Sequence, residues 1–197
     1  MEMNFSPHPI LETERLILRN VKREDAENVF LLRSNKEAMR FVPRPIAQSV
    51  ADAHTLIDNT IKMVESNEGI NFAIVEKSNP DKLIGLIGFL RTKKDQYRSE
   101  IGYMLHPDYH RRGYVLEALN RLVEYGWDGI GFHTVEAIVD PINEPSWKLL
   151  EKAGFTLEGV FKQSFFFKGE FSDGKYYSKI NPNSISDPNY FDKFKDK

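Results

Sequence analysis

The stretch that most constrains this chain runs from Tyr103 to Leu119, YMLHPDYHRRGYVLEAL: a strand end, a short polar turn, and a glycine opening a helix. Asp108, Tyr109, His110, Arg111, Arg112 and Gly113 form the turn. Val115, Leu116, Ala118, Leu119, Leu122, Val123 and Gly126 follow at near-helical spacing, which predicts a helix to about Trp127. A helix start carries N–H groups without intrahelical partners and the positive end of the peptide dipoles. With Gly113 letting the backbone approach closely and two arginines beside it, this end suits a phosphate or pyrophosphate. An ordinary strand-to-helix turn with solvated arginines has the same sequence pattern, so the assignment needs support from elsewhere in the chain.

The rest of the composition mainly excludes. With 197 residues there is enough chain for one substantial core. The balance of 27 basic and 29 acidic residues leaves a net charge of −2, so no global field draws the protein to nucleic acid or to a membrane surface. No cysteine is present, which removes disulfides, thiolate metal sites and a cysteine nucleophile together. The 5 histidines show no metal-ligand spacing, so no metal is expected. The N-terminal MEMNFSPHPI has neither a basic nor an apolar leader region, and no apolar run reaches a spanning length, so the expected setting is cytoplasmic.

Residues 1–10 read as an extended N-terminal arm, because Pro7 and Pro9 oppose a helix. RLILRNV (Arg15 to Val21) suits a first strand and Glu24 to Ser34 a helix; FVPRPI (Phe41 to Ile46) must be a loop. Val50, Ala53, Ile57, Ile61 and Val64 form one stripe of a second helix. Asn71 to Glu76 and Lys82 to Leu90 read as a hairpin turning at SNPD, and Tyr97 to Leu105 completes the meander. Alternation there puts Glu100, Gly102 and Met104 on one face and Ile101, Tyr103 and Leu105 on the other. A carboxylate in a central strand is costly unless it faces a wet cleft, a partner or the edge of the core, so Glu100 stands out. HTVEAIV (His133 to Val139), one helix later, should lie parallel to that strand through a right-handed crossover. PINEPSWKLLEKAGF then gives a short helix ending at Gly154, and a closing hairpin follows with FSDG as its turn and Phe165, Phe166 and Phe167 in the core or a subunit interface. The expected organisation is one domain over residues 11–181 with a flexible or surface-docked tail at 182–197.

This order of elements resembles the GCN5-related N-acetyltransferase (GNAT) fold, and most specifically the branch that acetylates ribosomal-protein N-termini. Four stretches carry the resemblance: LETERLILR (Leu11 to Arg19), SEIGYMLHPDYHRRGYVLEAL (Ser99 to Leu119), NEPSWKLLEKAGFTLEG (Asn143 to Gly159) and DGKYYSKI (Asp173 to Ile180). It implies an α+β, layered fold with a central mixed, twisted sheet of about seven strands and helices on both faces. Two positions depart from the family's phosphate-loop pattern: His110 stands where Gln or Arg is usual, and Val115 where Gly or Ala is usual.

The resemblance also implies acetyl-CoA as co-substrate, a primary amine as acceptor, and a homodimer. Met104 and Leu105 would offer backbone groups to the pantetheine arm. His110, Arg111, Arg112, Gly113, Tyr114 and Val115 would surround the pyrophosphate, and Asn143 would hydrogen-bond the arm or the amine region; as a residue preceding a helix, Asn143 equally suits a cap. Acetyl transfer from a thioester needs a neutral amine, a stabilised oxyanion and a protonated leaving thiolate. Glu100 is the candidate base and Ser146 the candidate proton donor, with Tyr109 or Tyr114 as substitutes; Ser146 equally suits the start of a helix with no catalytic part. An α-amino group, with a reference pKa of about 7.7–8.0, asks less of a base than lysine at about 10.4, which favours a protein N-terminus such as that of a ribosomal protein over a lysine side chain. A small amine is the other acceptor class, and a regulatory protein that binds acetyl-CoA without turnover is the alternative function. A nucleic-acid module built on HRR lacks the basic stripe it would need.

Overall fold

The structure, a computed structural model, describes residues 3–167 and 169–184. Its elements follow the chain as β1 (Leu11–Glu12), β2 (Leu16–Asn20), α1 (Ala26–Ser34), α2 (Val50–Glu65), β3 (Ile70–Glu76), β4 (Asn79–Lys93), β5 (Arg98–Leu105), α3 (Tyr114–Tyr125), β6 (Thr134–Val139), α4 (Glu144–Lys152), β7 (Thr156–Phe167) and β8 (Glu170–Ile180). One 8-stranded sheet runs β1-β2-β3-β4-β5-β6-β8-β7. Every neighbouring pair is antiparallel except β5–β6, as the helical crossover through α3 requires. The strand number exceeds the expected seven because the two residues of β1 pair with Ile17 and Leu18.

Alternation along the strands sends side chains to two cores. Leu16, Leu18, Phe72, Phe89, Ile101, Leu105 and Val135 meet α3 and α4 on one face. Ala73, Val75, Leu83 and Leu86 meet α1 and α2 on the other. The helices are delimited by local chemistry: Ser49 and Asp52 form a capping box at the start of α2, and Gly154 adopts φ +80 just beyond α4. Ahead of α1, Asp25 receives two hydrogen bonds from the Arg19 guanidinium at 2.8 and 2.7 Å, both groups being buried.

Three local expectations change. The meander turns at Lys77–Ser78, with Asn79 already opposite Glu76; register shifts around Val75 absorb Pro80, which has no N–H to give. The closing hairpin reverses at Gly169 (φ +87), and FSDG lies within β8, where the Asp173 carboxylate accepts the Gln163 N–H at 2.8 Å across a bulge. Of core or subunit interface, the core is excluded for the phenylalanine run: none of the three joins either core cluster, Phe165 and Phe167 are half-buried, and Phe166 is 64% exposed against the equally exposed Phe171, the rings tilted with centroids 4.8 Å apart. The N-terminal arm has no helix among its described residues and is docked, with Met3 and Phe5 buried and Asn67 bonding both their backbones at 2.9 Å. The tail expected at 182–197 lies outside the described residues from 185 onward.

Candidate active site

β5 and β6 pair over three positions only, Arg98 with Thr134, Ser99 with Val135 and Glu100 with Glu136, and separate beyond them. The opposite edge of β5 stays in register with β4 as far as Leu105 opposite Gly85. The His106 N–H donates to the Ile84 carbonyl at 2.8 Å, which fixes the phase of that ladder. Backbone groups alternate along an antiparallel strand, so those of Leu105 and Tyr103 face the gap and those of Met104 face Leu86. Met104, expected to offer its backbone here, therefore contributes its side chain to the wall. The His110 ring donates from Nε2 to the Leu105 carbonyl at 3.0 Å, leaving the Leu105 N–H as the polar group at the open strand end. His110 thus holds the strand end in place of making a loop contact, which nothing in the glycine-loop pattern suggests.

The gap opens into a cleft of about 1690 Å³ bounded by α1, the 35–49 loop, α2, β5, the 107–115 loop, β6 and α4. At the foot of α3, Arg111 (φ +61) and Gly113 (φ +79) are left-handed, and Gly113, as N-cap, has no side chain to close the helix end. The first helical bond is Glu117 N–H to Gly113 O at 3.1 Å, so the N–H groups before it point out of the helix end. The Val115 side chain packs in part against the α3-side core while also lining the cleft.

This loop is held by the first strand pair. Thr13 donates to the Glu117 carboxylate at 2.6 Å, Arg15 donates to it from N and Nε at 2.8 and 2.7 Å, and Arg15 also donates to the Arg112 carbonyl at 3.0 Å. Burial pushes the Glu117 carboxyl up, but these donors together hold it below its usual range. LETERLILR is therefore a brace for the α3 start, a role its alternating apolar pattern does not reveal. The Arg112 side chain is taken up by the Asp108 carbonyl at 2.9 Å, so the arginine of the pair whose side chain has no hydrogen bond or ion pair among the described residues is Arg111.

Glu100 reaches the cleft from the α1/α2 face of the sheet, with its side chain 15% exposed and paired with Arg91. Arg91 sits at a β4 bulge with φ +48. From the other face, the Tyr103 hydroxyl lies 2.7 Å from Ser146 Oγ. Burial pushes the Tyr103 phenol up to about 12, against the opposing effect of Ser146, so it stays protonated at physiological pH. Alternation places Tyr103 only on the strand face opposite Glu100; its pairing with Ser146 joins residues 43 positions apart and needs the fold. Tyr109 lines the cleft with the Lys82 ammonium 5.6 Å from its ring centroid, and its proximity raises the Lys82 ammonium above its usual range. Tyr114 donates to Glu76 at 2.5 Å, away from Ser146. The Asn143 carbonyl receives the N–H groups of Ser146 and Trp147 at 3.1 and 3.3 Å, while its side chain makes no capping bond and lines the cleft.

Residues 15–156 match the model of the acetyltransferase (GNAT) domain family. Uncharacterized N-acetyltransferase YoaA of Bacillus subtilis is 36% identical over 174 residues, covering 88% of this chain and 98% of YoaA. The ribosomal-protein-serine acetyltransferase of Escherichia coli is 28% identical over 135 residues, 68% of this chain and 73% of that protein. A GNAT-family acetyltransferase from Bacillus anthracis superposes with a TM-score of 0.78 at 26% identity, covering 87% of this chain and 98% of that one.

Proposed function

Because the chain belongs to the GNAT acetyltransferase family and is an N-acetyltransferase, we propose that it moves an acetyl group directly from acetyl-CoA to a primary amine, with a protein N-terminal α-amino group as the acceptor class and a small amine as the other candidate. The observation that carries this reading is the opened β5–β6 gap, with the outward Leu105 N–H at its end and the bare start of α3 beside it. These groups fit the donor. An extended amide-bearing arm can occupy the unpaired edges, the α3 start and Arg111 suit a pyrophosphate, and the Asn143 carboxamide is free to bond the arm.

The two faces of β5 divide the chemistry. On the α1/α2 side, Glu100 takes the amine proton, directly or through a water, as the C–N bond forms. The Leu105 N–H stabilises the charge growing on the carbonyl oxygen. On the opposite side, as the C–S bond breaks, Ser146 gives its proton to the thiolate and is resupplied by Tyr103, which burial keeps neutral. Tyr114, whose hydroxyl donates to Glu76, and Tyr109, beside Lys82, are not assigned this role. The similarity to a ribosomal-protein-serine acetyltransferase supports a peptide acceptor, and the exposed aromatic hairpin of β7 and β8 is the surface proposed for a homodimer.

The test is thiol release from acetyl-CoA across N-terminal peptides, polyamines and small amino compounds. Transfer to α-amino peptides is expected; release with none of the amines, while acetyl-CoA binds, would overturn the reading.

A further inference from the structure

The wall of the cleft on the Glu100 side carries arginines that the mechanism does not use. Arg33, near the end of α1, and Arg40 and Arg44, in the loop before α2, all line it. The Ala47 N–H donates to the Arg33 carbonyl at 3.1 Å, folding the loop that carries Arg44 back onto the end of α1. Among the described residues none of the three side chains makes an ion pair with an acid. Arg40 rests over the Phe41 ring at 4.9 Å.

The acids on that wall have other partners or make no ion pair with these arginines among the described residues. Glu100 is paired with Arg91, and Asp52 accepts the Gln48 and Ser49 N–H groups at 2.7 and 3.0 Å as the cap of α2. Glu37 is exposed and makes no ion pair with these arginines among the described residues. Arg33 is partly buried, and desolvation, followed by the nearby Arg44 charge, holds its guanidinium below its usual range. A partly buried guanidinium with no acid partner and a second positive charge nearby is costly in the free protein, and an anion bound at Arg33 with the exposed Arg44 beside it relieves both desolvation and repulsion.

We propose that the acceptor of this enzyme carries an anionic group, a carboxylate or a phosphate, which Arg33 and Arg44 bind while the amine is presented to Glu100. The inference rests on the acetyl-transfer reading above and narrows its acceptor. A guanidinium fork binds either oxyanion by two parallel hydrogen bonds, so the two anions are separated by experiment.

The experiment compares kcat/KM in matched sets on the full chain: N-terminal peptides differing only in Asp, Asn or Lys at the second residue, phosphoethanolamine against ethanolamine, and spermidine as a cation. Hydrogen bonds to charged groups predict a preference for the anionic member of about tenfold or more over its neutral partner. Arg44→Gln should reduce that preference chiefly through KM for the acceptor, Arg44→Lys should restore part of it, and Arg44→Glu should shift selection toward the Lys peptide and spermidine. Because Arg44 is exposed, these variants leave the core untouched. A larger effect in the peptide or in the phosphoethanolamine set identifies the anion as carboxylate or phosphate. Acetylation without regard to acceptor charge, or a wild-type preference for spermidine, overturns this inference alone. Acetylation of nothing, with acetyl-CoA still bound, overturns it together with the transfer reading.

Discussion

Replacing Gly113 with Asp and, in parallel, with Asn separates the conformational and electrostatic parts of the pyrophosphate assignment. Both substitutions impose the same left-handed demand at φ +79, which Asn and Asp tolerate better than other residues at a cost of about 1 kcal/mol. A Cβ there would sit 3.5 Å from Arg15 Nη2, an ordinary contact, so neither side chain forces the brace apart. The two variants therefore differ in one negative charge at the N-terminus of α3. Two like charges at about 4 Å repel by about 1 kcal/mol in water and about 4 kcal/mol near a protein surface. Even the lower limit, for a pyrophosphate with two charges, gives about 2 kcal/mol, or about thirtyfold in Kd. Titration calorimetry with CoA is expected to show a modest loss for Gly113→Asn and at least that further factor for Gly113→Asp. Indistinguishable Kd values for the two, each verified as folded, would refute the placement of the pyrophosphate at this helix start.

Further outcomes follow from the two faces of β5. Glu100→Gln removes the base and should lower kcat by about 10²–10⁴ while changing the shape of its pH profile; an unaltered profile would remove Glu100 from that role. Tyr103→Phe leaves Ser146 without its donor and should lower kcat more than either KM, and since the phenol is raised to about 12, the alkaline limb of the wild-type profile below pH 10 should persist in the variant; loss of that limb would contradict the assignment. Stability should also report the raised phenols. Burial pushes both Tyr103 and Tyr177 up to about 12, the latter with Glu151 adding to the shift. Between pH 10 and 12 the unfolded chain releases these two protons and the folded chain keeps them, so the stability present in full below pH 10 is lost as pH rises, by up to about 3 kcal/mol for each group. Chemical denaturation from pH 9 to 12 measures this; a wild-type slope matched by Tyr177→Phe would exclude that residue's share.

How far these features were legible in the sequence depended on the distance over which they are encoded. The face of Glu100 followed from alternation in one strand, and the helix start at Gly113 from one turn, because neighbouring residues determine both. The gap between β5 and β6 has no local signature: the strands part where Glu100 meets Glu136, residues far apart in sequence, and the expectation came from family resemblance. The pairing of Tyr103 with Ser146, the brace from Thr13 and Arg15 to Glu117, and the folding of the Arg44 loop onto the end of α1 all join separate elements. The hairpin turns were misplaced for a different reason: SNPD and FSDG have turn composition, but a bulge uses the same residue types, and the register decided where each chain reversed.

Hydrogen–deuterium exchange with and without CoA reads the backbone groups on which the site is built. Protection is expected at the Leu105 amide and at the amides from Arg111 to Val115, with added protection along Ala137–Val139 as the gap in the sheet is filled. Binding of CoA with those amides unchanged, and protection elsewhere, would contradict this placement of the site.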